Sequence, residues 1–202
     1  EFVRALDETG QRERTLIVFH SDNGGLLSGA NPYVGTVKGS PVLSSNLPLR
    51  GQKAQLYEGG IRVCALANWP GQLAPRRMAQ PMHAADWMPT LTHLAGYRPT
   101  TDLRWDGQDV WPLLSGMETS RPARTLYIPL PTSAAVLHGD WKLISLNRGA
   151  RHELYNLADD PYEKHDLATA EPARLRELLD RLRDLRRDDV TTLPDDLAGV
   201  PG

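Results

Sequence analysis

An Asp-Asn pair stands between an apolar run and a double glycine, in the sequence TLIVFHSDNGG. The run from Leu16 to Phe19 has the composition of a buried strand, and ligands in open α/β sheets gather at the carboxyl ends of strands. Asp22 would supply a charged oxygen and Asn23 a neutral one, which are ligands that calcium and magnesium take. Asp-Asn-Gly-Gly is also a common turn sequence, so these residues alone leave both interpretations open.

Lys53 is a second candidate, in the sequence LRGQKAQLYEGGIRV. It follows a stretch from 26 to 52 that is rich in Gly, Ser, Pro and Asn, and it precedes an apolar strand predicted at 61–67. An ammonium group at the edge of a strand-end crevice would bind a tetrahedral oxyanion as a point charge. A lysine taken by itself is more often a solvated surface charge.

Three other charged residues lie close to Lys53 in the sequence. Arg50 is a second basic candidate for the same oxyanion. Glu58 and Arg62 are predicted to be structural: Glu58 would hold the double-glycine turn that follows it, and Arg62 would form a local ion pair.

The first part of the chain predicts an α/β layered fold. A helix at 1–9 is followed by a buried strand at 15–20, the long loop, the strand at 61–67 and a helix from Asp86 to Gly96. This alternation of helices and strands is typical of layered α/β folds. The last helix places three apolar residues on one face: Trp87, Leu91 and Leu94.

The composition changes near residue 120. Four short runs, TLYIPL, AAVLHGD, WKLISL and HELYNL, are separated by turn residues and predict a small antiparallel sheet. The Gly-Asp turn in HGDW predicts a hairpin. The sequence EPARLRELLDRLRDLRR then predicts an amphipathic helix. Its apolar stripe contains five leucines: Leu175, Leu178, Leu179, Leu182 and Leu185.

The bulk composition limits the classes of partner. The chain has 202 residues, of which 40% are hydrophobic, and a formal net charge of -2. This charge predicts no nucleic acid and no anionic membrane surface as partner. No apolar run approaches the roughly 18 residues that a membrane span needs.

Six motifs resemble, in the same order, the C-terminal half of a type I sulfatase: TLIVFHSDNGG, NLPLRGQKAQLYEGGIRV, WPG, MHAADWMPTLTHLAG, DGQDVWPLLSG and ELYNLADDPYEKHDLA. The second and fourth motifs look closest to the arylsulfatase B branch. The resemblance implies the C-terminal part of an α/β fold of the alkaline-phosphatase type. Residues 1–118 would complete the large α/β domain, and residues 119–202 would form a small antiparallel sheet with a terminal helix.

The resemblance also implies a reaction. Sulfatases hydrolyse sulfate esters with a cysteine oxidised to formylglycine, whose hydrated form attacks sulfur. Calcium or magnesium holds the sulfate oxygens, and basic residues neutralise the charge on the sulfate and on the leaving oxygen. Carried over to this sequence, Asp22 and Asn23 match two ligands of that metal. Lys53 matches the lysine that contacts the sulfate.

Other parts of the family's active site have no match here. The nucleophile motif Cys-x-Pro-x-Arg is absent from the sequence, and Cys64 is expected in a strand or in the core. Formylglycine and the remaining metal ligands are therefore expected in an N-terminal half, as a partner of this segment, and the segment alone is expected to be inactive. Core or surface roles are expected for five histidines: His83, His93, His138, His152 and His165.

Three alternatives stay open at this point. The first is a phosphate or phosphonate ester hydrolase of the alkaline phosphatase superfamily, and the second is a non-catalytic sulfatase-like chain. In the third, Asp22 and Asn23 only form a turn. The strands at 15–20 and 61–67 need neighbouring strands, so we expect the segment by itself to be poorly soluble or tightly bound to its partner half.

Overall fold

The computed structural model describes residues 1–27 and 44–189, which form two compact units. The first unit consists of Glu1–Asp22 and Val63–Pro122, and the second consists of the described parts of Asn23–Arg62 and Ala123–Gly202. These units are defined by packing within this chain alone. The two predicted sulfatase domains, at residues 1–118 and 119–202, therefore stay a prediction.

The elements follow one another in this order: α1 (Phe2–Glu8), β1 (Ile17–His20), α2 (Glu58–Ile61), β2 (Ala65–Asn68), α3 (Trp87–Leu94), α4 (Trp111–Ser115), β3 (Thr125–Leu130), β4 (Ser133–His138), β5 (Trp141–Leu146), β6 (Arg151–Asn156) and α5 (Pro172–Leu185). Short 3₁₀ helices lie at Arg12–Arg14, Ala84–Asp86, Asn147–Gly149 and Arg186–Asp188. None of the described helices combines the length and the apolar character that crossing a membrane requires.

The sheet of the first unit has two antiparallel strands, β1 and β2. Phe19 and Leu66 lie directly opposite each other across these strands and are 58% and 53% exposed. A strand forms in each predicted region, but β2 begins at Ala65 and not at residue 61, which is the last residue of α2. The predicted burial of the strand at 15–20 is also wrong for this chain. Within the described residues these two strands pair only with each other, so both outer edges of this sheet lack a neighbouring strand there.

Helix α3 is confirmed, but its buried face differs from the predicted one. Leu91 is exposed, whereas Pro89 and Thr90 are buried. Hydrogen bonds to the backbone decide which face of α3 is buried: the N–H of Val110 donates to the Thr90 hydroxyl oxygen at 2.9 Å. The carboxylate of Asp86, just before the helix, accepts in the same way from the N–H of Gln108 at 2.9 Å. These side chains dock the helix on the segment that follows it.

The second unit contains the predicted small sheet, with antiparallel strand order β3-β4-β5-β6. The Gly-Asp turn joins β4 to β5, with His138 opposite Trp141, as predicted. One face of the sheet packs on α5, and all five leucines of the predicted stripe contribute to that core. The other face packs on Leu56 and Tyr57, so the sheet lies between α5 and the segment that follows Lys53.

Candidate active-site loops

Two double-glycine segments of the second unit lie directly against each other. The N–H of Gly24 donates to the carbonyl oxygen of Gly60 at 2.9 Å. A Cβ atom on Gly24 would lie 1.8 Å from the carbonyl oxygen of Gly59. No larger residue fits there unless the backbone moves. The glycines after Asn23 therefore have a packing role beyond that of a simple turn.

Asn46 joins this segment to the residues just before Lys53. Its side-chain oxygen accepts from the N–H of Gly25 at 2.7 Å. Its side-chain nitrogen donates to the carbonyl oxygens of Gly25, at 2.8 Å, and Gly51, at 3.0 Å. Sequence reasoning did not single out Asn46. The available signal was an amide side chain inside the NLPLRGQK motif, because an amide can donate and accept at once and so bridge two backbones.

Lys53 lies beside the same glycine segment. Its backbone N–H donates to the carbonyl oxygen of Gly25 at 3.2 Å, and its side chain is half-buried. Asn23, only two residues before Gly25, belongs to the same unit. The structure thus brings the backbone of the predicted sulfate-binding lysine next to the segment that begins with the predicted ligand Asn23.

Asn23 is half-buried, and its side-chain nitrogen donates to the carbonyl oxygen of Gly24 at 2.9 Å. This bond uses the nitrogen end of the amide, whereas a hard cation binds the oxygen end. Asp22 is exposed and is the last residue of the first unit. It follows Ser21, whose N–H donates to the carbonyl oxygen of Cys64 at 3.2 Å.

Asp22 and Asn23 together offer two oxygen ligands, and calcium or magnesium takes about six or more. Among the residues that the structure describes, no group of three or more His, Cys, Asp or Glu side chains could hold a metal ion. The assignment of Asp22 and Asn23 to a metal therefore depends on the chemistry of these two donors.

Arg50, the second basic candidate, is engaged inside the second unit. Its guanidinium donates to the hydroxyl of Tyr155 at 2.9 Å and to the carbonyl oxygen of Glu163 at 2.8 Å. It also lies 3.8 Å from the ring centroid of Tyr57. These contacts make Arg50 a structural residue that ties the loop before Lys53 to the sheet.

Glu58 and Arg62 are both structural, as predicted; the carboxylate of Glu58 pairs with two basic side chains, and its predicted role in holding the double-glycine turn stays a prediction. Their side chains form an ion pair at 2.5 Å, which confirms the predicted local pairing of Arg62. The other carboxylate oxygen of Glu58 lies 2.7 Å from the ammonium of Lys142 in β5. That ammonium also lies 2.7 Å from a carboxylate oxygen of Glu163. Burial raises the pKa of the Glu163 carboxyl, although the Lys142 charge opposes this shift.

A second polar cluster lies on the same face of the sheet. The buried carboxylate of Glu153 in β6 accepts from the hydroxyls of Tyr57, at 3.0 Å, and Tyr155, at 2.6 Å. Burial and this carboxylate raise the pKa of the Tyr155 hydroxyl above its ordinary value. Arg151 pairs with Glu153 at 2.7 Å. Because both hydroxyls donate to this carboxylate, they bind the segment that contains Tyr57 to β6.

Three of the remaining histidines have visible structural roles. His83 begins a 3₁₀ helix, where its ring accepts from the N–H of Ala85 at 3.2 Å. His93 pairs with Asp109, and His138 bonds to the hydroxyl of Thr125 at 3.0 Å. These contacts agree with the expected core or surface roles.

Cys64 differs from expectation. It is exposed and lies immediately before β2. Its expected place in a strand or in the core is therefore wrong for this chain, because β2 begins one residue later and has no covering layer in the described residues.

Comparison with known proteins matches the chain to one family. The family model described as Sulfatase matches residues 1–97. Steryl-sulfatase of Mus musculus is 40% identical over 113 residues, which cover 55% of this chain and 17% of that protein. Arylsulfatase A of Homo sapiens is 32% identical over 208 residues, which cover 90% of this chain and 39% of that protein. The chain thus spans less than two fifths of the length of these relatives.

Solved structures support the predicted fold class. The crystal structure of Ps i-CgsB has a TM-score of 0.75 and 30% identity, covering 91% of this chain and 39% of that chain. Its complex with k-i-k-neocarrahexaose gives a TM-score of 0.76 with 31% identity over the same shares. The predicted α/β fold of the alkaline-phosphatase type is confirmed by these neighbours. The finer placement close to arylsulfatase B stays a prediction.

Proposed function

Because this chain belongs to the sulfatase family, we propose that it supplies metal-binding and oxyanion-binding loops to an enzyme that hydrolyses sulfate esters. The observation that carries the proposal is the hydrogen bond from the N–H of Lys53 to the carbonyl oxygen of Gly25, at 3.2 Å. It joins the loop that carries the basic candidate to the segment that begins with Asn23. This backbone contact between segments thirty residues apart in the sequence supports a shared site for the two candidates.

Asp22 and Asn23 would hold Ca²⁺ or Mg²⁺. The donor set fits a hard divalent cation, since one residue supplies a charged oxygen and the other a neutral one. When bound, such an ion orients the sulfate and draws charge from its oxygens. The protein's own contribution is to fix the donors: Gly24, packed against Gly59 and Gly60, sets the backbone that follows Asn23.

Lys53 would neutralise negative charge on the sulfate. Its ammonium can bind a sulfate oxygen or the oxygen of the departing alcohol, where charge grows as the ester bond breaks. Asn46 fixes both segments next to Lys53 by donating to the carbonyl oxygens of Gly25 and Gly51. Fixing the loop before the substrate binds lowers the cost of ordering it in the transition state.

We also propose that the formylglycine nucleophile and the remaining metal ligands come from an N-terminal half that packs on β1 and β2. The chain covers 39% of arylsulfatase A, which leaves most of such a protein to supply them. Phe19 and Leu66 form an exposed apolar pair on a two-stranded sheet. Additional strands or helices from the other half are suited to cover such a pair.

The test is the substrate preference of the full-length protein. We expect its kcat/KM for an aryl sulfate to exceed that for the matching aryl phosphate. Preference for the phosphate would contradict the proposal and favour a phosphate ester hydrolase. Turnover of neither compound would also contradict it and favour a non-catalytic sulfatase-like protein.

A further inference from the structure

Three charged side chains from distant parts of the sequence meet inside the second unit. Glu58 begins α2, Lys142 lies in β5, and Glu163 lies in the turn after β6. Their exposed fractions are 2%, 0% and 0%. Charged residues are rarely this deeply buried unless they are paired. The proposed substrate-binding loops do not account for this cluster, which we call the Lys142 cluster.

The Lys142 cluster is balanced in charge. The ammonium of Lys142 lies 2.7 Å from one carboxylate oxygen of Glu58 and 2.7 Å from one of Glu163. The second oxygen of Glu58 lies 2.5 Å from the Nε atom of Arg62, so two acids face two bases. A buried network of this kind is no more stabilising than apolar side chains of similar volume. What it does provide is direction, because both oxygens of Glu58 and one oxygen of Glu163 each accept from a defined donor, while the other oxygen of Glu163 makes only the charge contact with Lys142.

Glu163 holds its position with an unusual backbone. Its φ angle is +56°, in the left-handed region that side chains other than glycine rarely adopt. Such a conformation persists where the surroundings fix it. Its carboxylate accepts from the N–H of Glu58 at 2.7 Å, and its carbonyl oxygen accepts from Arg50 at 2.8 Å. One residue thus fixes the chain on both sides of Lys53.

Glu58 transmits this constraint to both candidate loops through the two glycines that follow it. The N–H of Gly59 donates to the carbonyl oxygen of Arg50 at 2.7 Å. The carbonyl oxygen of Gly60 accepts from the N–H of Gly24 at 2.9 Å. A displacement of Glu58 would therefore move the residues before Lys53 and the residues after Asn23 together.

We propose that Lys142 and Glu163 are positioning residues, which act through Glu58 to set the places of Lys53 and Asn23. The effect on catalysis rests on the proposed sulfatase function. The positioning itself rests only on the contacts within the second unit. This proposal gives the motifs LYEGG, WKLI and DPYEKHDL one shared role.

The first experiment measures peptide-level hydrogen exchange in the full-length protein. In Lys142→Met, which replaces the ammonium by an apolar chain of similar length, two carboxylates lose their shared cation. We expect exchange in peptides covering 50–62 to become at least about tenfold faster, while α5 keeps its wild-type rate. Unchanged exchange at 50–62, or an equal rise in α5, would overturn the proposal.

Two further variants keep this test decisive if Lys142→Met does not fold. Glu163→Gln keeps the shape of the side chain and removes its charge, and we expect a smaller change confined to the same peptides. The double variant Lys142→Met, Glu163→Gln leaves Glu58 paired with Arg62, so we expect it to restore part of the lost protection. Leu178→Ala, a buried change on the opposite face of the sheet, is the control that should speed exchange in α5.

Steady-state kinetics with an aryl sulfate form the second arm. We expect Lys142→Met to lower kcat at least tenfold and to raise KM less than that, because a displaced Lys53 loses its contact mainly in the transition state. If the wild-type protein does not turn over the aryl sulfate, the proposed function fails, and the exchange experiment still decides the positioning. Localised loss of protection without a fall in kcat would overturn the link to catalysis.

Discussion

At the scale of single residues, the candidate loops depend on side chains that imitate the backbone. Asn46 accepts from one peptide N–H and donates to two carbonyl oxygens, so it replaces the bonds that a neighbouring strand would make. Asn23 bonds to its own chain through the amide nitrogen. Both amides therefore order a segment that lacks the regular hydrogen bonds of a helix or a sheet. An ordered segment is required to hold a ligand in a fixed place.

The role of Asp22 can be tested by calcium titration of the full-length protein after removal of bound metal. We expect Asp22→Ala to weaken calcium binding by at least about tenfold, because the charged oxygen of the pair is lost. Asp7→Ala is the matched control, since Asp7 is an exposed aspartate in α1 of the same unit. Equal affinity in wild type and Asp22→Ala would remove the metal-site assignment.

At the scale of elements, the candidate site is held together by contacts between the backbones of irregular segments, and not by packing of helices or strands. The segment after Asn23, the loop before Lys53 and the start of α2 approach so closely that backbone atoms touch without side chains between them. Such contacts transmit displacement, since no flexible side chain can absorb it.

Gly24→Ala tests this close approach. The added methyl group would lie 1.8 Å from a backbone oxygen, so we expect a loss of about 3 kcal/mol in the free energy of unfolding and a fall in activity. Gly10→Ala is the control. Gly10 has a φ angle of +66° and nothing within 4 Å of its Cβ position, so only backbone strain of about 1–2 kcal/mol is expected there, with activity retained. Urea unfolding and aryl sulfate turnover measure both variants, and equal effects would refute the role of close packing.

The elements that the sequence predicts well are those with a local pattern. The leucine stripe of α5 recurs every three or four residues, so the period alone indicates its buried face. The strands of the small sheet are short runs bounded by turn residues, which predict the strands themselves but not a buried face, since both faces of this sheet are covered. In α3 the same reasoning chose Leu91, but Thr90 and Asp86 decide the docking by binding backbone groups farther along the chain. No local pattern contains that information.

Lys142 is a second residue whose position could not be predicted from a local sequence pattern. Within WKLISL it has the appearance of a solvated residue between apolar neighbours, yet it is fully buried. Its partners Glu58 and Glu163 lie far away in the sequence. The candidate residues Lys53 and Asn23 could be selected from sequence motifs, whereas the residues that hold them in place could not, because their pairing depends on the complete fold.

At the scale of the whole molecule, the two units expose apolar surface to different degrees. The second unit covers its sheet on both faces, with α5 on one face and Leu56 and Tyr57 on the other. In the first unit Phe19 and Leu66 are more than half exposed. Exposed apolar pairs on a short open sheet promote association.

This difference predicts the behaviour of the 202-residue chain produced by itself. We expect size-exclusion chromatography to show oligomers or aggregates, and we expect Phe19→Ser combined with Leu66→Ser to increase the monomer fraction. Met88→Ser combined with Leu91→Ser, at exposed apolar positions of α3, is the control and should change little. A monodisperse wild-type monomer would contradict the prediction.

The most direct test of the account is the aryl sulfate turnover of Lys53→Ala in the full-length protein. The account predicts that kcat falls about 10²–10³-fold, the usual loss when one group that stabilises a developing oxyanion is removed. The control Lys164→Ala, which removes an exposed lysine from the same unit, should keep the wild-type rate. Wild-type turnover by Lys53→Ala would contradict the claim that this loop binds the sulfate.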